Sequence, residues 1–231
     1  MSRHVLLIGF EPFGPHRVNP SELLVRSLEG RIVAGRALAA RVFPVQARGL
    51  RERLATALRE EQPAVVLGVG LAAGRAALAL ERVALNVLDF PIPDTAGAMP
   101  KHEPIASDGP DARFATLPLA EIVASWSVAG VPGYVSNSAG TYLCNQWLYE
   151  ALALTSNATP PAAAGFVHVP ALPAQANEMG AERTPSMTLD LMRKGLETAI
   201  ETIVARLDAT PAAAPSREPM WIPRGLREVE R

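Results

Sequence analysis

Three continuous apolar runs restrict the folds open to this chain more than any other feature: Val5-Leu6-Leu7-Ile8, Ala64-Val65-Val66-Leu67-Gly68-Val69 and Gly165-Phe166-Val167-His168-Val169. A strand with one wet face alternates apolar and polar residues. A run apolar at nearly every position is covered on both sides, as in a parallel sheet with helices above and below it. Stretches of helical period lie between the runs. Asn19-Pro20-Ser21-Glu22 opens one: Asn19 as N-cap, Pro20 at the first helical position, and Glu22 three residues after the cap to close a capping box. Leu23, Leu24 and Leu28 give that helix its apolar face, and Gly30 ends it.

Leu50, Leu54 and Leu58 repeat every four residues, which predicts a helix over 48–61 that stops before Pro63. Residues 38–45 read as a strand. Leu119, Ile122, Val123 and Trp126 predict a helix within 118–130. Leu189, Met192, Leu196, Ile200, Ile203 and Leu207 predict a long one over 186–207. Residues 89–113, rich in Pro, Asp and Gly, form a surface excursion, and 156–164 a proline-bearing linker. The alternation predicts an α/β protein: a single-domain three-layer α/β/α sandwich around a mostly parallel twisted sheet. The domain is expected over 1–208. A tail follows over 209–231, whose Pro211, Pro215 and Pro219 among alanines suggest disorder.

Composition closes off several functions. The chain has 231 residues, 48% of them hydrophobic, and 22 basic against 23 acidic groups leave a net charge of −1. Such a balance gives no field to attract nucleic acid or an anionic membrane. One cysteine excludes an internal disulfide and a multi-cysteine zinc site. Residues 5–10 are too short for the apolar region of a signal peptide, and no window of about 20 apolar residues could span a bilayer. A soluble, cytoplasmic protein is expected.

The single cysteine sits in Ser138-Ala139-Gly140-Thr141-Tyr142-Leu143-Cys144-Asn145, after an apolar run and a small-residue turn. That order reads as strand, turn, helix, with Cys144 in the first helical turn. Unpaired N–H groups and the positive end of the helix dipole would favour its thiolate. A free cysteine is more commonly a small core hydrophobe, so a site needs partners. His168 ends an apolar strand before Pro170, and in open α/β sheets ligands bind outside the carboxyl ends of strands, where Cys144 is expected too. Imidazole can hold a thiolate and later protonate a leaving amine. Glu81 lies among apolar neighbours and needs a partner. Arg75 or Arg82 would make that a structural ion pair; His168 would make Glu81 the group that orients the imidazole. Phe10, Phe13 and Tyr142 are either core caps or the walls of a flat apolar pocket. Gly68-x-Gly70 lacks the spacing of a phosphate loop and is read as easing a tight turn.

Together these blocks resemble the pyroglutamyl peptidase I family of cysteine peptidases. The matching stretches are Gly9-Phe10-Glu11-Pro12-Phe13-Gly14 with Asn19-Pro20-Ser21, Ala73-Gly74-Arg75 with Glu81-Arg82-Val83-Ala84-Leu85-Asn86, the Cys144 stretch, and Gly165-Phe166-Val167-His168-Val169-Pro170. They run in the family's order over residues 4–205. The resemblance implies an α/β/α fold, catalytic Cys144, His168 and Glu81, and a substrate pocket at Phe10, Phe13, Asn19 and Tyr142. It also implies removal of an N-terminal 5-oxoproline from blocked peptides without metal or cofactor, and a homotetramer. The chain departs from the family at Leu71, often Gln; Ala73, often Gly; Pro91, often Arg; and Tyr142, usually Phe. Proline at 91 offers no backbone N–H, so any oxyanion role there passes to other donors, such as the N–H of Cys144. Two other functions fit the same residues: a thiol amidase or cyclic-imide hydrolase, and a non-catalytic binder of blocked N-termini.

Overall fold

The computed structural model describes residues 4–180, 182 and 184–209. Of the tail expected over 209–231, residues 210–231 lie outside them. Its first residue does not: Ala209 ends the last helix, one residue after Asp208, which is ion-paired with Arg36.

Strand β1 (Val5–Phe10) leads through helix α1 (Pro20–Leu28) and a short strand β2 (Ile32–Val33) to β3 (Arg36–Phe43). Helix α2 (Leu50–Glu61) returns the chain to β4 (Val65–Leu71), followed by β5 (Leu78–Glu81). A two-stranded ribbon pairs β6 (Val83–Leu85) with β7 (Ala112–Phe114). Then come α3 (Leu119–Val128), β8 (Gly133–Ser136), α4 (Leu143–Ser156), β9 (Ala163–Val169), α5 (Pro173–Met179) and α6 (Leu189–Ala209). The main sheet has seven strands in the order β2-β3-β1-β4-β9-β5-β8.

Its strands alternate their side chains between two apolar layers. Val5 and Leu7 of β1, Leu67 and Val69 of β4 and Val167 and Val169 of β9 pack with α1, α3 and α6. Leu6, Ile8 and Phe10, Val66 and Phe166 pack with α2 and α4. Both faces are covered, which is why the runs read as continuously apolar. The predicted three-layer sandwich is the observed one.

One expectation fails in detail, and the sheet, mostly parallel as expected, is mixed. Asn19 does cap α1, its Oδ1 accepting the Ser21 N–H at 3.0 Å, but Glu22 does not close a capping box. Glu22 instead takes Arg26 one turn on, at 2.9 Å, and the Ser21 hydroxyl fills the polar space at the cap by donating to Asn19 Oδ1. The sheet is also less uniform than the alternation suggests. β3, β1, β4 and β9 run parallel, whereas β5 pairs antiparallel with β9, and β8 follows β5. A fully apolar run reads the same in either direction, so strand polarity has no local signal.

The topology also makes a crevice. From β1 the chain moves outward to β3 through α1, on one face, then returns over β1 to β4 through α2, on the other. The strand order therefore reverses between β1 and β4, the place where open α/β sheets bind ligands. Pairing of β1 with β4 stops at Ile8↔Gly68. Beyond it β1 continues beside β3 to Phe43, and β4 beside β9 to Val169, so the two strands part.

Candidate active site

Cys144 is the second residue of α4, after Tyr142 at the N-cap position. Because β8 runs against β4 and β9, it does not deliver Cys144 to their carboxyl ends directly. The turn over 137–142 brings the chain back, with Gly140 at φ +79°, a backbone conformation that a Cβ would strain. The thiol then lies over the middle of the sheet. A Cβ added at Gly70 would sit 2.8 Å from Cys144 Sγ and 2.8 Å from the Phe166 ring. At Gly68 it would meet Phe166 at 2.4 Å and Trp147 at 2.6 Å. Both glycines are mid-strand, not turns as the sequence suggested: they thin the sheet so that α4 and its thiol can descend onto it.

Gly70 is in register with His168 on the neighbouring strand. His168 shares the α4 face with Phe166, whose ring centroid lies 4.9 Å away. Its Nδ1 is 2.7 Å from Glu81 Oε1, and Glu81 is completely buried. Arg75 Nη1 donates to that same oxygen at 2.6 Å, while Nη2 reaches the Ser138 carbonyl at 3.3 Å. The ion pair and the histidine contact, posed as alternatives by the sequence, therefore coexist on one carboxylate oxygen. Glu81 Oε2 has no hydrogen-bond partner among the described residues. Arg82 makes no ion pair with Glu81 there; its backbone N–H joins the Ser136 carbonyl at 2.8 Å.

The electrostatics reverse one expectation. Burial pushes the Cys144 thiol up to about 12; the Glu81 charge adds to this, while Arg75 and the residue's own backbone N–H pull the other way. Desolvation thus outweighs the start of the helix. Burial also holds the His168 imidazole below its ordinary range, against the hydrogen bond and charge of Glu81 and with the help of Arg75. Burial thus favours the uncharged form of both the thiol and the imidazole.

The crevice between β1 and β4 opens beside the thiol. Phe10, Phe13, Asn19, Val45, Gly70, Leu71, Tyr142, Leu143 and Cys144 line a narrow crevice there that is open to solvent. All four residues assigned to substrate are among them. Asn19 is engaged structurally, its Nδ2 donating to Glu11 O at 3.0 Å, which ties the loop after β1 to the α1 cap. Tyr142 stacks edge-on with buried Phe90, centroids 4.4 Å apart, and its hydroxyl donates to Pro93 O at 3.2 Å. Burial, aided by Asp94 and Cys144, pushes that hydroxyl up to about 12, so it remains a donor.

The 89–113 excursion is firmly held. Thr141 Oγ1 donates to Asp89 O at 2.7 Å, and the Asp94 carboxylate accepts the N–H groups of Ala47, Ala96 and Ala98, each at 2.9 Å. Leu71 lines the crevice, and Pro91 is exposed on the excursion. A larger groove, between the ends of α2 and α4, is lined by residues including Leu58, Arg59, Leu154 and Thr155, with no cysteine, histidine or carboxylate.

Sequence reasoning missed Asn145. It is fully buried, accepting the Leu85 N–H at 2.8 Å and donating to Leu85 O at 2.8 Å and Val87 O at 3.1 Å. An amide in this place locks the start of α4 against β6. Its only signal was adjacency to Cys144.

A thiol over the strand next to that of an imidazole, the imidazole held by a buried carboxylate and an apolar crevice alongside, is the equipment of a thiol-dependent hydrolase. A profile of the pyroglutamyl peptidase family matches residues 3–206, and the chain belongs to that family of hydrolases. The pyrrolidone-carboxylate peptidase of Coprothermobacter proteolyticus is 41% identical over 208 residues, covering 90% of this chain and 100% of the relative. That of Thermococcus onnurineus is 44% identical over 198 residues, 86% of this chain and 97% of the relative. A solved structure of pyrrolidone carboxyl peptidase from Pyrococcus furiosus superposes with a TM-score of 0.85 at 37% identity, covering 88% of this chain and 99% of that one. No helix among the described residues is long and apolar enough to cross a membrane.

Proposed function

We propose that this protein is a cysteine peptidase that hydrolyses the bond after an N-terminal pyroglutamyl residue. The observation that carries the proposal is the thiol of Cys144 over Gly70, in register with an imidazole whose Nδ1 lies 2.7 Å from Glu81, beside an apolar crevice. A 5-oxoprolyl ring has no charged amine, so it enters such a crevice without the desolvation cost that an α-ammonium would bear. Phe10, Phe13 and Tyr142 wall the ring, and Asn19 holds the loop that forms one side.

Glu81 accepts the Nδ1 proton of His168, which leaves Nε2 as the base. As the sulfur of Cys144 attacks the oxoprolyl carbonyl, its proton passes to Nε2, so the ionic pair forms during attack rather than before it. The oxyanion is held by backbone N–H groups at the start of α4, including that of Cys144. Nε2 returns the proton to the departing amine as the C–N bond breaks, leaving an oxoprolyl thioester. His168 Nε2 then takes a proton from water as its oxygen attacks the thioester carbonyl; the C–S bond breaks, Nε2 returns the proton to the sulfur, and 5-oxoproline leaves. Cytoplasmic action and assembly as a homo-oligomer belong to the same reading; the sedimentation of the purified protein measures the second.

Release of a fluorescent amine from a 5-oxoprolyl amide, with a prolyl amide as control and Cys144→Ser alongside, tests the reaction. Turnover of the first compound alone, lost in the variant, is the expected result. Turnover that survives Cys144→Ser removes the mechanism. Hydrolysis of cyclic imides in preference to the peptide-like amide would point to the amidase reading, and binding without release to a non-catalytic one.

A further inference from the structure

Arg75 is the charged group of this site that the mechanism above leaves without a task. It bridges two parts of the machinery just past the point where their strands stop pairing, at Glu81 of β5 opposite Ser136 of β8. Nη1 donates to Glu81 Oε1 at 2.6 Å, and Nη2 to the carbonyl of Ser138 at 3.3 Å. Glu81 ends β5 and faces His168. Ser138 lies in the turn that carries the chain back to Cys144, and the Ser136 hydroxyl braces that turn, donating to Ser138 O at 3.1 Å and accepting the Ser138 N–H at 3.4 Å. The guanidinium is a planar fork with donors on separate nitrogens, so it can meet both acceptors at once, as an ammonium cannot. Its own residue is held by a backbone bond from Arg75 N to Ala72 O at 3.0 Å, just after β4.

We propose that Arg75 is a positioning residue that sets the distance between the Glu81–His168 pair and the turn bearing Cys144, and supplies the counter-charge for the buried carboxylate. The assignment rests on the Cys144–His168–Glu81 reading above and adds a fourth member to it. A structural ion pair would need only the Glu81 contact; the second donor ties that carboxylate to the nucleophile's turn. Because Glu81 Oε1 takes both His168 and Arg75, loss of the arginine leaves Glu81 free to turn, and the imidazole with it.

The charge of Arg75 also reaches the reacting pair. It lowers both the Cys144 thiol and the His168 imidazole, and the other charged or titratable groups around them are Glu81, Tyr142 and, beyond Tyr142, Asp94. Removing it therefore moves both titrations to higher pH. A role confined to stability would lower the rate equally at every pH.

The test uses three proteins: wild type, Arg75→Lys and Arg75→Ala. Cys144 is the only cysteine, so alkylation by iodoacetamide reports that thiol alone and needs no substrate. In Arg75→Ala, we expect kcat to fall about 10²-fold with KM within about threefold. The alkylation profile and the acid limb of kcat/KM should move to higher pH, and added methylguanidinium should restore part of the rate. Arg75→Lys should keep the wild-type pH profile, since the charge stays, yet lose much of the rate, since the fork is gone. Unchanged kcat in Arg75→Ala overturns the proposal. So does a uniform loss at all pH values with no rescue by methylguanidinium. A wild type that alkylates normally but releases no amine from the 5-oxoprolyl compound counts against the substrate, and the alkylation shift still decides the role of Arg75.

Discussion

The two faces of one sheet have been put to different uses, although the same strands supply both. On the face covered by α1, α3 and α6, β9 presents Val167 and Val169, and β5 presents Leu78 and Leu80. On the face covered by α2 and α4, the alternate residues of those strands are Phe166, His168 and Glu81, with Gly68 and Gly70 on β4 between them and the helix. Trp126 of α3 shows how the first face treats a polar atom: its Nε1 donates to Gly195 O at 2.7 Å, and the ring fills the space left by Gly133. The second face carries Asn145, Gln146, Glu150 and His168, all buried. Burying such groups is tolerable only when each finds partners, so a polar buried face gives up stability that the opposite face must supply. The period of two in a strand is what lets the two faces change independently.

If that division holds, substitutions on the two faces should separate activity from stability. The largest effect is Cys144→Ala, for which peptidase activity should fall by about 10⁴-fold or more while the thermal midpoint barely moves. A protein that keeps measurable turnover after this change would break the division. Next comes the opposite face. Trp126→Ala should cost about 3–5 kcal/mol by denaturant titration, with kcat and KM unchanged well below the new midpoint. An altered KM there would mean that the two faces communicate. Gly70→Ala tests the thin point of the sheet. Its Cβ would meet Cys144 Sγ at 2.8 Å, so kcat should drop about 10²-fold and stability by about 1–3 kcal/mol. Asn145→Ala leaves the Leu85 N–H and two carbonyls without their partner. It should cost about 1–3 kcal/mol, and stopped-flow burst kinetics should show slowed acylation.

The smallest effect is that of pH. The folded imidazole of His168 lies below the unfolded value of 6.5, so the unfolded chain binds its proton first as pH falls. Stability is therefore full above 6.5 and declines as pH drops below it. The Cys144 thiol behaves oppositely: its folded value is about 12 against 9.0, so stability declines as pH rises above 9. Activity should be lost at the acid end as His168 protonates. A chemical-denaturation series across pH, with Cys144→Ala lacking only the alkaline decline, checks both signs.

Much of this was legible in the residues because it depends on neighbours in the chain. The Asn19 cap, the apolar faces of α2, α3 and α6, and the position of Cys144 in the first turn of α4 are all local. The division of labour at Glu81 was not legible, since Arg75 and His168 reach it from separate elements. Nor was the role of Gly70, because a missing side chain signals nothing until another chain segment occupies its place. The short helix α5 has no apolar period long enough to reveal it, and the polarity of β5 and β8 had no local trace.

The sequence by itself determined the alternation of strands and helices, the burial of the sheet on both faces and the single residue able to act as a thiol nucleophile. Those follow from periodicity, capping and composition, which act over a few residues. Only the tertiary structure decided which way β5 and β8 run, how the crevice opens between β1 and β4, and that burial raises the Cys144 thiol. Each of those depends on which distant atoms exclude water or complete a hydrogen bond, and a fully apolar strand accepts several such arrangements until the helices have packed.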